Sequence, residues 1–137
     1  YGDFELLVDW KIHEKGDSGI YLRGSPQVQI WDAAHKGAGT PNLDGVGSGW
    51  LYNNQKNPSK PSKVADKPVG EWNSFRILMV GEKVHVFLND ELVVNNVTLE
   101  NYWERDKPVY PLGDIELQNH GNKLYFKNIY VREIPRQ

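Results

Sequence analysis

The sequence predicts an all-β fold, an antiparallel sandwich or jelly roll, on three observations. Apolar and polar residues alternate repeatedly at the two-residue period of a half-buried strand. Turn formers, with 13 Gly and eight Pro among them, break that alternation at close intervals. No stretch carries the three-and-four spacing of an amphipathic helix. At 137 residues the chain can bury one core but is short for two, so a single domain over 1–137 is expected.

The first strand is expected over Phe4–Ile12, with Phe4, Leu6, Val8, Trp10 and Ile12 on one face and Glu5, Leu7, Asp9 and Lys11 on the other. The chain enters it abruptly and without a secretory leader, as a processed or incomplete product would. A turn at 13–17 leads to the most informative stretch, DSGIYLRGSPQVQIWD at 17–32. Residues 18–23 alternate Ile20 and Leu22 against Tyr21 and Arg23, and residues 27–31 alternate Val28 and Ile30 against Gln29 and Trp31. Gly24, Ser25 and Pro26 supply the turn between them. Paired as a hairpin, Tyr21, Arg23, Gln29 and Trp31 share one face. A guanidinium, a carboxamide and two rings suit a polyhydroxylated ligand. They equally suit ordinary cross-strand stabilisation.

Periodicity is absent from 33–70, where Trp50, Leu51 and Tyr52 predict an ordered loop lying over something. The glycine run at 45–49 lacks the preceding strand, following helix and lysine of a phosphate cradle. Strands resume at 73–80, 83–88 and 91–95 as a meander, turning at Gly81-Glu82 and Asn89-Asp90. A second irregular stretch, 97–113, carries Tyr102, Trp103 and Tyr110. Residues 114–119 form a strand that puts Glu116, Gln118 and then His120 on one face. The last strand, 124–134, changes parity near Lys127-Asn128 as a β-bulge requires.

Composition excludes several functions. A net charge of −2 with no basic stripe argues against nucleic acid as a partner. No apolar run is long enough to span a membrane. With no cysteine there is no disulfide framework and no thiol nucleophile. Oligomeric state is left open.

Six motifs carry a resemblance: DFEL at 3–6, DSGIYLRG at 17–24, VQIWDAAH at 28–35, GEWNSFRI at 70–77, VFLNDELVV at 86–94 and IELQNHG at 115–121. Together and in this order they resemble the 3-keto-disaccharide hydrolase family, formerly a domain of unknown function. The resemblance implies a concanavalin A-like sandwich with a concave carbohydrate-binding face, and a periplasmic, outer-membrane-associated or secreted setting in a Bacteroides-like organism. It also implies further strands upstream of DFEL, so that this chain reads as a fragment lacking them. Asp17 stands where Asn is usual, and Asp90 where Gly is usual.

The family activity implies a sugar oxidised at C3, whose ketone acidifies the C2 proton so that a base can form an enolate and expel the C1 substituent. That chemistry needs a base, an enolate stabiliser and an acid for the leaving oxygen. His120 is the first choice for base or acid and Arg23 for the fixed positive charge. Glu116, Asp32 and Glu5 are carboxylates whose parity matches Arg23, Gln29 and Gln118, and any two could form an ordinary glycosidase pair. A divalent metal held by Asp32, His35, Glu116 and His120 is a further option. Tyr21, Gln29, Trp31, Gln118, Trp50 and Tyr52, with Glu5, are the expected substrate contacts. The two loop residues would stack on sugar or close the core beneath the loop. The expected function is a 3-keto-glycoside hydrolase or lyase, with a non-catalytic sugar-binding module as the alternative and a structural interaction domain as a third reading.

Overall fold

The computed structural model describes residues 1–34, 46–119, 121 and 123–135. His35 and His120 lie outside the described residues. The all-β expectation holds: the described elements are β1 (Phe4–Ile12), β2 (Asp17–Leu22), β3 (Ser25–Trp31), β4 (Asn73–Val80), β5 (Lys83–Leu88), β6 (Glu91–Thr98), β7 (Glu116–Leu117) and β8 (Leu124–Glu133). They form a five-stranded sheet in the order β6-β5-β4-β1-β8 and a three-stranded sheet in the order β3-β2-β7, with every pairing antiparallel.

The alternation that predicts the strands also builds the core. Phe4, Leu6, Val8 and Trp10 of β1, Phe75, Ile77 and Met79 of β4, and Val84, Val86 and Leu88 of β5 point inward from the larger sheet. Ile20, Leu22, Val28 and Ile30 point inward from the smaller one and join the same buried cluster. The opposite faces carry the polar residues of each strand.

The meander turns follow from their residues. Gly81 takes φ 59, and Asn89 and Asp90 take φ 51 and 68. The latter pair is the left-handed combination that matches the twist of a two-residue hairpin. The expected bulge in β8 lies at Asn128, φ 52, where the pairing with β1 shifts register between Leu7 and Asp9.

Three boundaries differ from expectation, and the first is β6, which runs to Thr98 instead of ending at residue 95. The β2–β3 turn is Arg23-Gly24, with φ 49 and 73, and Leu22 pairs with Ser25. Ser25 and Pro26 therefore belong to β3. β7 holds two residues instead of the six expected, because pairing with β2 is confined to Ile20↔Leu117 and Tyr21↔Glu116.

The irregular segment after residue 46 acts as a further edge for β3. Gly49 N–H donates to Gln29 O, Gln29 N–H to Trp50 O and Tyr52 N–H to Gln27 O, around a bridge between Val28 and Leu51. Gly49 must be glycine here: its φ is 98, and a Cβ would lie 2.9 Å from a Val93 methyl. Leu51 enters the core, and Trp50 and Tyr52 turn to the polar face of β3.

Candidate functional site

The polar face of the smaller sheet carries a cleft of about 420 Å³, lined by Asp17 and Tyr21 of β2, Pro26, Gln27 and Gln29 of β3, Tyr52, Asn53, Tyr102, Trp103 and Gln118. That volume is within the range of small-ligand sites. Its floor is a chain of amides ending in a carboxylate. Gln27 Nε2 donates to Gln29 Oε1, and Gln29 Nε2 donates to Asp17 Oδ1 at 2.6 Å. Gly19, between Asp17 and Tyr21, makes room for this chain, since a Cβ there would lie 2.9 Å from Gln27 Cδ. Beside it, Gln118 Oε1 is buried with no hydrogen-bond partner. A buried acceptor left open costs about 1–3 kcal/mol.

The walls are aromatic and held from behind. Tyr52 is 44 % exposed, Tyr102 40 % and Trp103 58 %. Trp103 Nε1 donates to Gly24 O at 2.7 Å, and Tyr102 lies edge-on to it. Asn101, buried, accepts from the N–H groups of Trp103 and Glu104 and donates to Pro108 O, which shapes the loop that presents both rings. Ser25 links that loop to β3: its Oγ donates to Glu100 O and accepts from Tyr102 N–H. The other wall is tied to the first through Arg105, whose guanidinium donates to Asn53 O at 2.7 Å and sits over the Tyr102 ring. Glu100 completes the tie. Its Oε2 accepts from the backbone N–H groups of Gln55, Lys56 and Asn57, each at 2.9 Å.

The structure brings Tyr21, Gln29, Gln118 and Tyr52 together, as their strand parity and loop position predict. Glu116 pairs in register with Tyr21 and is exposed beside the cleft without lining it. The remaining candidates sit elsewhere. Arg23 is 2 % exposed and leaves the strand at the turn: its Nε donates to Gly2 O at 2.7 Å and its Nη2 meets Asp3 Oδ1 at 2.7 Å. It is a fixture of the sandwich and not a charge facing the cleft. Glu5 lies on the outer face of the five-stranded sheet, bound to Arg76 and Arg132. Trp50 is 4 % exposed and packed between Trp31 and Tyr52, so it supports Tyr52 from beneath and offers no free face.

Trp31 and Asp32 line a separate cavity at the far end of β3. Asp32 accepts from the N–H groups of Lys15 and Ala34. Trp31 pairs with Asp17, which sets Asp32 opposite Gly16, and Glu116 pairs with Tyr21, so Asp32 and Glu116 are separated by five strand steps, about 17 Å. That spacing is too wide for one metal ion or for a glycosidase carboxylate pair. Among the described residues no three His, Asp or Glu come together as a metal site.

Asp17, Gln27, Asn53, Tyr102 and Trp103 complete the cleft and were not singled out as site residues. Parity alone places Asp17 and Gln27 on the face of Tyr21 and Gln29, so that signal was present. Nothing in the sequence tells that the loop at 99–112 folds back over the hairpin.

The smaller sheet of this β-sandwich thus carries a polar, aromatic-walled cleft, and the family and neighbours the chain resembles are glycosyl-hydrolase-like or carbohydrate-binding. Residues 1–132 match the model of the 3-keto-alpha-glucoside-1,2-lyase-like domain, and the chain belongs to that family. It is 26 % identical to a 3-keto-disaccharide hydrolase of Bacteroides thetaiotaomicron, the match covering 96 % of this chain and 59 % of that protein. Among solved structures, one candidate glycosyl hydrolase from Parabacteroides distasonis aligns with TM-score 0.74 and 25 % identity over 98 % of this chain and 65 % of that one. A second from the same organism aligns with TM-score 0.77 and 24 % identity, covering 98 % and 71 %. A carbohydrate-binding module of Bacillus subtilis shares the fold at TM-score 0.59 and 15 % identity, covering 97 % and 76 %.

Proposed function

We propose that the cleft binds a glycoside oxidised to a ketone at C3 and cleaves it at C1. The observation that carries this reading is the floor: a linked Gln27, Gln29 and Asp17 beside the open acceptor of Gln118, between exposed aromatic walls. Sugar hydroxyls bond the amide and carboxylate groups that line the cleft, and the apolar face of the ring lies against Tyr52 or Trp103.

Asp17 is the one carboxylate among the described lining residues. With Oδ1 engaged by Gln29, its Oδ2 takes the proton from C2. The electron pair of that C–H bond moves into the C1–C2 bond as the C1 substituent departs with its bonding pair, and the leaving oxygen takes a proton. Lyase action stops at the unsaturated keto-sugar, and hydrolysis follows by addition of water across it. His120, outside the described residues, enters on sequence grounds alone as the acid at the leaving oxygen. The same proposal places the protein in the periplasm, at the outer membrane or outside the cell, as the family resemblance of its motifs implies.

The second reading is a binding module that performs no chemistry. It is favoured by the predominance of neutral amides over ionisable groups in the described cleft, and by the withdrawal of Arg23 into the fold. Incubation with 4-nitrophenyl 3-keto-α-glucoside separates the two. Cleavage releases nitrophenol, and Asp17→Asn lowers turnover at least about 100-fold while binding of the unoxidised glucoside persists. Binding without release supports the module. Absence of both binding and release sinks the sugar reading.

A further inference from the structure

The outer face of the five-stranded sheet differs between its two ends. At one end Glu5 meets both Arg76 and Arg132, so the charges there compensate one another. At the other end three ammonium groups gather on two rings. Lys11 of β1 stands opposite Tyr125 of β8, and its Nζ lies 4.9 Å from the centre of that ring and 5.0 Å from the centre of the Trp72 ring. Lys127 Nζ lies 4.0 Å from the same Trp72 ring, and Lys123 Nζ 5.9 Å from Tyr125. His13 borders the group, edge-on to Tyr125 at 6.0 Å.

A carboxylate holding a lysine cancels its charge. A ring attracts the ammonium through its quadrupole and leaves the net charge in place. None of the three lysines forms an ion pair or donates a side-chain hydrogen bond among the described residues. The nearest carboxylate on this face, Asp9, stands opposite Lys127 but is engaged by Ser74 Oγ and Asn128 Nδ2. Glu14 and Glu71, in the adjoining turns, are exposed and pair with none of the lysines. In a chain of net charge −2, one patch of positive surface is thus held in position without being neutralised.

The cations also form a line. Lys123, Tyr125 and Lys127 follow at the two-residue period, which sets the two lysines four steps apart, about 13 Å. Lys11 lies between them on the neighbouring strand. A small anion covers only part of this line and gains little from each exposed contact. A polymer with recurrent negative groups meets all of it, and its weak contacts reinforce one another because the units are joined. Single-stranded nucleic acid would need open ring faces for its bases, and here ammonium groups lie over the rings. A flat lipid surface would draw on cations spread in two dimensions, and these are aligned.

We propose that this end of the larger sheet binds an acidic polysaccharide, one whose sulfate or carboxylate groups recur along the chain. The site lies on the outer face of the sheet opposite the cleft and does not depend on the reading of the cleft.

A heparin hexasaccharide supplies the sulfated probe, hexagalacturonate the carboxylated one and maltohexaose the neutral control. Calorimetric titration should show at least one charged hexamer binding about tenfold or more tighter than its disaccharide, and more weakly as salt is raised. The tighter hexamer identifies the group recognised. In spectra of the ¹⁵N-labelled protein the Trp72 indole N–H, assigned by its loss in Trp72→Phe, should shift with that hexamer and stay still with maltohexaose. Lys11→Gln combined with Lys127→Gln, both on the sheet surface, should weaken the hexamer about fivefold or more with the far-UV circular dichroism unchanged, whereas Asp17→Asn in the cleft should leave it as it is. The proposal is overturned by an unmoved Trp72 resonance, by unchanged affinity in the double variant, or by a disaccharide that binds as well as the hexamer. Tighter binding to phosphatidylglycerol vesicles or to a thymidine oligonucleotide would likewise overturn it.

Discussion

Arg23 shows how one backbone angle redirects a side chain. Strict alternation would set it beside Tyr21 on the polar face, but at φ 49 it occupies the first position of the hairpin turn and its side chain runs inward. The left-handed conformation costs a non-glycine residue about 1–2 kcal/mol. Its guanidinium offsets that with bonds to Gly2 O, Asp3 and Tyr110 O. Gly113 completes the fit, because a Cβ there would come within 2.5 Å of the Arg23 carbonyl. Arg23→Met should therefore destabilise the fold by about 3–5 kcal/mol, since it breaks the buried ion pair with Asp3 from one side. Adding Asp3→Asn should recover part of the loss. Urea denaturation of the two variants checks this; a loss below about 1 kcal/mol would place Arg23 outside the structural frame. The sequence could reveal that Arg23 stands next to Gly24 and not that the turn begins one residue early, because that depends on partners at Gly2 and Tyr110, distant in the chain. Glu5 misled for a related reason: parity says which strand residues share a face, but not which of two sheets the strand joins.

At the scale of elements, the parts legible in the sequence were those whose conformation is set locally. The meander from β4 to β6 follows from alternation and from Gly81, Asn89 and Asp90, and the β8 bulge from a visible change of parity. The cleft walls were illegible because each loop takes its shape from the other. Glu100 is the joint. Burial works against its charge, but the N–H groups of Asn57, Gln55 and Lys56 outweigh that, and its carboxyl is held below the usual carboxylate range. A depressed folded-state value stabilises the protein above the unfolded value, near 4.5, and that contribution disappears as pH falls through the folded one. Glu100→Gln should remove this part of the acid sensitivity and cost about 1.5–3 kcal/mol at neutral pH, the worth of hydrogen bonds to a charged acceptor. Amide exchange reports it directly: Gln55, Lys56 and Asn57 should exchange faster in the variant at pH 7, and in the native chain they should accelerate on acidification. Unchanged protection would mean that Asn54, which bonds Thr98 O and Pro58 O, holds the loop by itself.

For the molecule as a whole, the cleft depends on the core behind it. The inner faces of β2 and β3 contribute Ile20, Leu22, Val28 and Ile30 to the same cluster as the five-stranded sheet, and Leu51 enters it from beneath Trp50 and Tyr52. The smaller sheet has no second apolar face on which to stand alone, since its outer side is the cleft. Loss of the core should therefore abolish the cleft in the same step and not after it. Ile77, fully buried at the centre of β4, tests this from the opposite sheet, and it does not line the cleft. Ile77→Ala should cost about 2–5 kcal/mol. Far-UV circular dichroism, which follows both sheets, and tryptophan fluorescence, to which cleft-lining Trp103 and the packed pair Trp31 and Trp50 contribute, should then shift together to one lower midpoint. Separate midpoints would show instead that the hairpin and its loops hold together by the bonds of Ser25, Asn101 and Glu100 after the larger sheet has come apart.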